Sequence, residues 1–325
     1  MGTIERIKNI SSSYRIEYSE DYVCVIGNSL KIYNRKDFSF VCTFNDMRNY
    51  SQVKFLDKDI FAAGTTECRF AVYNITNKER KWYKKPKGDF VSDSKIIVSC
   101  DGKKLYRTAI YNKTGAECKT VLVGADTEKN EFFIQNLWQR SASNCLIKVD
   151  DTHLRVLTSY SYIDTLDKFY TGIREIDIIK KDFIDYIILY RGYNKTADQV
   201  GSYEYYSGKY IFYKFFERTS NKIMLIDLEK SKKEIYILPD PLENYGYSTH
   251  FKVYKEKIII LVFSKYVILL EKQLGKILKQ YQVAYCSDAD FMDGDLYIST
   301  WEGLFVVRGL ERELFSIQDP DAVTF

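Results

Sequence analysis

Two histidines, His153 and His250, are the only imidazoles in the chain, and they bound the chemistry open to it. A His-rich metal site within the chain is excluded. A Ser-His-Asp relay would have to use one of these two residues. His153 follows Asp150-Asp151-Thr152, a turn sequence, and His250 stands just before an apolar run. Both read as surface or hydrogen-bonded histidines. The patterns HExxH, CxxC, GxGxxG and GxSxG and the phosphate-binding P-loop are all absent. The sequence therefore gives no catalytic residue, no metal ligand set and no cofactor.

Two charged runs invite chemistry and have plainer explanations. Asp288, Asp290, Asp293 and Asp295 surround Gly294. A calcium loop of the EF-hand type needs an oxygen ligand where Met292 stands and a Glu where Ser299 stands. Asp57-Lys58-Asp59 repeats the spacing of Asp293-Gly294-Asp295, which points to turn-forming aspartates. The run Lys78, Arg80, Lys81, Lys84, Lys85 and Lys87 is interleaved with Trp82 and Tyr83, a mixture that can hold single-stranded nucleic acid. It also fits an outer strand with its cations toward solvent and Trp82 toward its neighbour. A net charge of +4 over 325 residues gives no broad electrostatic footprint, so nucleic acid is not the expected partner.

The elements that must position such residues are strands. Tyr (28) and Phe (20) are abundant and Pro (4) is scarce, which favours pleated, half-buried segments. Seven Cys without close pairs fit reduced thiols, and the segment Met1-Gly-Thr-Ile-Glu-Arg lacks an apolar signal. The longest apolar run, Ile258 to Leu270, contains Lys265 and is too short to span a bilayer. It reads as two strands joined at Ser264-Lys265. A cytoplasmic protein without membrane insertion is expected.

One unit recurs along the chain: an aromatic or aliphatic anchor, a polar turn, an apolar strand, a third strand and a more polar fourth. The anchors are Tyr18, Phe55, Phe90, Leu137 or Trp138, Tyr206, Tyr254 and Phe291. Five of the six intervals are about 35 to 48 residues, the range of propeller blades. The pattern predicts an all-β fold, a single seven-bladed β-propeller of four-stranded blades over residues 1–325. The blades are placed at 11–46, 50–86, 88–124, 132–180, 183–240, 247–283 and 286–318. The long interval from Leu137 to Tyr206 leaves an eighth, degenerate blade as the alternative. In the seven-blade reading, IREIDIIKKDFIDYIILYRG supplies the outer strand of the fourth unit and the inner strand of the fifth, and Tyr193 to Ser202 forms a long loop. Closure of the array falls to Thr3–Ile10 or to the C-terminal segment ELFSI.

The third strands LKIYN, FAVYN, TAIYN and IMLID resemble the strand of WD40 repeats that ends in Trp-Asp. Tyr stands for Trp and Asn for Asp in three of them, and Asp227 follows Ile226 in the fourth. The Gly-His dipeptide of that family is absent, so its usual His–Ser/Thr–Trp–Asp network is not expected. The resemblance implies a divergent WD40-like propeller whose loops gather on one face around a channel. Residues placed on such loops are Glu67, Arg69, Tyr245, Tyr247, His250, Trp301 and Glu302. The expected function is a non-catalytic scaffold or adaptor that binds a protein or peptide partner through those loops, with Trp301 and Tyr247 as anchors. The alternative is a propeller hydrolase or lyase with an acid, Tyr and His250 at the channel mouth.

Overall fold

The computed structural model describes residues 3–92, 94–111, 119–139, 142–162, 169–192, 203–214, 219–246 and 248–317. Strand β1 (Ile4–Arg6) is followed by a first sheet of β2 (Arg15–Tyr18), β3 (Tyr22–Ile26), β4 (Leu30–Asn34) and β5 (Phe40–Phe44). The second sheet holds β6 (Tyr50–Phe55), β7 (Ile60–Thr65), β8 (Phe70–Asn74) and β9 (Arg80–Tyr83). In the third, β10 (Phe90–Val91) and β11 (Ile97–Val98) both pair with β12 (Lys104–Tyr111), as two pieces of one inner strand. β13 (Lys119–Asp126) and β14 (Glu131–Gln139) complete it. The fourth contains β15 (Ala142–Lys148), β16 (His153–Tyr162), β17 (Phe169–Asp177) and β18 (Asp182–Gly192), and the fifth β19 (Tyr203–Ser207), β20 (Tyr210–Lys214), β21 (Lys222–Asp227) and β22 (Lys232–Ile237). A short helix, α1 (Leu242–Tyr245), leads to the sixth: β23 (Ser248–Tyr254), β24 (Ile258–Phe263), β25 (Tyr266–Glu271) and β26 (Ile277–Gln282). The seventh is β27 (Cys286–Met292), β28 (Asp295–Thr300) and β29 (Gly303–Val307), with β1 as its fourth strand, and α2 (Leu310–Ile317) follows. The fold is an all-β, seven-bladed β-propeller.

Two compact units make up the chain, Met1–Ile16 with Lys209–Phe325, and Glu17–Gly208. In each, the core lies between neighbouring blades. In the first unit, Ile260 and Leu269 of the sixth blade pack with Phe291, Ile298 and Val307 of the seventh. In the second, Cys24 and Ile32 of the first blade pack with Phe61 and Tyr73 of the second. Leu105, Val121 and Val123 of the third blade continue that pattern from Phe70. All six residues of β24 (IIILVF) are buried. A strand covered on both faces carries a continuous apolar run in place of alternation.

One turn chemistry recurs. Asp126 Oδ1 accepts the backbone N–H groups of Glu128 and Lys129, Asp177 those of Ile179 and Lys180, and Asp227 those of Glu229 and Lys230. Asn74 Oδ1 likewise accepts the N–H of Asn77. Each residue ends the third strand of its blade and starts the turn to the fourth, and Asp and Asn suit this because their short side chains reach the backbone two residues on. The next residue's N–H bonds back to the turn that opens the second strand, as in Ile75 to Asp59 and Leu228 to Lys209. The WD-like dipeptide is therefore an Asx-turn anchor.

This chemistry corrects several strand assignments. TAIY lies in β12, the second strand of its blade; Asp126 of β13 holds the signature position, and Asn112 is outside the described residues. IREID is the third strand of blade four, and FIDYIILYRG is its outer strand rather than the inner strand of blade five. The long interval is thus absorbed by long strands, and the fold has seven blades. The loop Tyr193–Ser202 is outside the described residues. ELFSI forms no strand: Leu310 and Leu314, one helical turn apart, bury against the core of the last blade, so the segment is helical. β1 takes the fourth-strand position, with Ile4 opposite Val307 and Arg6 opposite Phe305. On β9, Tyr83 is buried opposite Phe70 and Trp82 faces outward, the reverse of the expected orientation.

Arg107 of β12 is fully buried. Its guanidinium donates to the carbonyls of Thr65 (2.7 Å), Ser94 (2.9 Å) and Ser92 (3.1 Å) and to Ser51 Oγ (3.1 Å). A side chain at Gly64 would meet Arg107 Nη1 at 2.7 Å, so the guanidinium would have to shift from its hydrogen-bonded place. Arg107→Met should lower stability by more than about 3 kcal/mol, since each buried carbonyl left without its donor costs roughly 1–3 kcal/mol. Gly64→Ala should act in the same direction, and urea midpoints measured against wild type test both.

A pH effect comes from the turn after β15. Asp151 Oδ1 lies 2.8 Å from Lys148 Nζ and accepts the Cys100 N–H at 2.8 Å. The Lys148 and Cys100 hydrogen bonds pull its carboxyl down to about 2. The folded state thus favours the ionised form. The contribution is present above the ordinary carboxylate range of about 4 and is lost as pH falls through the folded value. Asp151→Asn should therefore be less stable than wild type near neutral pH, and the gap should close by about pH 2, as thermal melts across that range would show.

Candidate functional site

The β28–β29 hairpin of the first unit presents the largest exposed aromatic at a strand connection. Thr300 and Gly303 pair across the tip, which holds only Trp301 and Glu302. Thr300 Oγ1 donates to the Gly303 carbonyl and accepts the Glu302 N–H, both at 3.0 Å. Arg6 Nη2 donates to the Glu302 carbonyl at 2.5 Å. The Trp301 N–H reaches the Tyr285 carbonyl at 3.3 Å, and the Ser13 N–H reaches the Thr300 carbonyl at 2.8 Å. Ser287 Oγ, 2.7 Å from the Tyr14 carbonyl, fixes the arriving N-terminal segment. The tip is thus tied to its own blade and to the segment entering the first.

On this support Trp301 is 63% exposed and Tyr285 is 60% exposed. Tyr14 meets Trp301 edge to face, with ring centroids 5.4 Å apart. Tyr285 holds a left-handed backbone, φ 57°, immediately before β27. Asn49 (φ 58°) occupies the corresponding position before β6, and its carbonyl accepts the Thr66 N–H as that of Tyr285 accepts Trp301. Asn adopts this conformation readily, whereas a bulky residue there is uncommon. An exposed, conformationally costly Tyr beside an exposed Trp is a feature that packing does not require.

The other residues selected from sequence fall into different settings. Glu67 and Arg69 lie at the β7–β8 tip of the second unit, pair with each other at 3.3 Å and are about half exposed. Such a surface pair contributes about 0–1 kcal/mol. Tyr245 is 1% exposed, packed on Phe263 and Tyr266, and so offers no contact surface. Tyr247 lies outside the described residues. His250 lies on β23, with Nε2 3.5 Å from Asp288 Oδ1 on β27. Lys252 Nζ stands 3.3 Å from Asp288 and 2.6 Å from Asp290. These carboxylates hold the lysine's pKa above its ordinary value against the opposing pull of desolvation. His250 and Asp288 each follow a β-bulge, at Ser248/His250 and Cys286/Asp288, the irregularity that re-aims a side chain.

Asp288 and Asp290 thus serve strand-to-strand pairing, while Asp293 and Gly294 make the tight turn to β28 with φ 55° and 82°. Among the described residues no group of three or more His, Cys, Asp or Glu is placed to hold a metal ion. Among the described residues no helix is long and apolar enough to cross a membrane. Sequence reasoning missed Tyr285, Tyr14, Lys252 and Arg107. Only Tyr285 left a signal: an aromatic where the equivalent turn of the second blade has Asn49.

No protein-family model matches the chain, and no curated protein matches it. Solved structures do. The computationally designed Ika8 protein is 10% identical with a TM-score of 0.62, over 93% of this chain and 98% of that one. BamB from Moraxella catarrhalis is 12% identical with a TM-score of 0.55, over 94% and 99%. Likeness at this identity concerns the fold, and together with the strand pattern it supports the resemblance to WD40-like β-propellers.

Proposed function

We propose that the chain is a protein- or peptide-binding module whose contact surface is centred on Trp301 and Tyr285. The observation that carries this reading is the pair of largely exposed aromatics on a hairpin tip fixed by backbone hydrogen bonds. Rigid aromatic side chains give large contact area at small entropic cost and dominate binding energy at interfaces. Tyr14, Glu302 and Arg6 supply the polar rim. Glu67 and Arg69, at the β7–β8 tip of the second unit, are proposed on their own account as polar contacts for a partner.

The hydrolase or lyase alternative would use His250 and Asp288. A general acid working near neutral pH needs a carboxyl pKa pushed up. Lys252 neutralises Asp288 and Asp290. These pairings favour the binding reading.

Trp301→Ala with Tyr285→Ala should leave the melting temperature near wild type, since both rings are mostly exposed. Capture of a cross-linked native partner should fall at least tenfold, consistent with loss of more than about 1.4 kcal/mol at an interface anchor. Undiminished capture by the folded double variant would refute this surface assignment.

A further inference from the structure

Cys100 is an exposed free thiol in the turn between β11 and β12 of blade three. Lys148, the last residue of β15 in blade four, places Nζ 2.9 Å from Cys100 Sγ. Both residues belong to the second unit. The lysine is held there from two further directions: Nζ donates to the Val98 carbonyl at 3.2 Å and lies 2.8 Å from Asp151 Oδ1. Asp151 in turn fixes the Cys100 backbone N–H at 2.8 Å. A nitrogen and a sulfur on different blades are thus locked in contact, with the sulfur open to solvent. The N–H contact to Asp151 would be made by any residue except proline, whereas the contact with Lys148 Nζ is made by the thiol itself.

We propose that Cys100 and Lys148 are a peroxide-sensitive pair that closes a covalent sulfur–nitrogen link between blades three and four. In the first step Cys100 Sγ attacks one oxygen of hydrogen peroxide. The O–O bond breaks, the thiol becomes a sulfenic acid and one water leaves, the sulfur being oxidised by two electrons. In the second step the Lys148 ammonium gives one proton to solvent and its nitrogen attacks the sulfenic sulfur. The S–O bond breaks, the hydroxyl leaves as water with a second proton from the nitrogen, and an S–N bond forms with no further oxidant. Thiol reductants reverse the link by attack on sulfur, restoring the thiol and the amine. The proximity of Nζ makes capture of the sulfenic acid intramolecular, ahead of further oxidation to the sulfinic acid.

The test is peptide mapping of the native protein after brief treatment with hydrogen peroxide. The expected product is a cross-linked peptide pair containing Cys100 and Lys148, about 2 Da lighter than the sum of the two free peptides, because two hydrogens are lost. Tryptic cleavage after Lys148 should be blocked, and dithiothreitol should restore both peptides. In Lys148→Arg the charge is kept but the nucleophilic amine is lost. That variant should give no link and should accumulate sulfenic acid at Cys100, trapped by dimedone. In wild type the link should also raise the melting temperature of the treated protein over the untreated one, a gain that Lys148→Arg should lack. Treated wild-type protein in which Cys100 runs on to the sulfinic acid, or stays a thiol, with Lys148 still cleaved would overturn the proposal.

Discussion

The structure depends on one constraint: the middle strands of a blade are apolar on both faces. β24, β28 and β7 are buried along nearly their whole length. A single sheet of this kind would leave one face of every such strand in water, at roughly 1.5–3 kcal/mol for each large aliphatic side chain. Within each unit, neighbouring blades therefore cover one another's faces. The core clusters lie between blades for this reason. Hydrophobic contact is non-directional, however, and does not by itself fix how one sheet sits on the next.

Direction comes from hydrogen bonds at the strand connections. The Cys286 N–H donates to the Ser264 carbonyl of the preceding blade, and the Ser92 N–H to that of Thr66. Ser13 repeats this at Thr300, where the N-terminal segment leaves the last blade for the first. Arg107 does the same work with a side chain, joining carbonyls of blades two and three. These contacts immobilise the hairpin tips and let an exposed residue such as Trp301 stand in a defined place with only the edge of Tyr14 packed on it. Scaffold and candidate surface are linked through the same backbone groups.

The polar interior follows a similar division. Tyr50 and Tyr73 both donate to Asp46 Oδ1 at 3.0 Å, and burial drives the Tyr73 hydroxyl's pKa well upward. Tyr73 belongs to the FAVYN strand, so one dipeptide does two jobs. Its Tyr meets an interblade carboxylate, and its Asn opens the next turn. A WD40-like sequence can thus dispense with the histidine network of that family.

The sequence by itself determined the strand content and the repeat, because apolar runs and Asx turns are local chemistry, and it favoured seven blades over eight, a choice that the sheet topology settled. It also placed Trp301 and Glu302 on a turn. It misassigned strands where two blades carry unusually long ones, although Asp126 and Asp177 held the right register in plain view. It could not separate buried Tyr245 from exposed Tyr285, since both are tyrosines before an inner strand and only packing against Phe263 distinguishes them. Nor could it set Lys252 against Asp288, Arg107 against Thr65 or Lys148 against Cys100. Those pairs lie 36 to 48 residues apart and meet because neighbouring blades stack, a relation that no local pattern encodes.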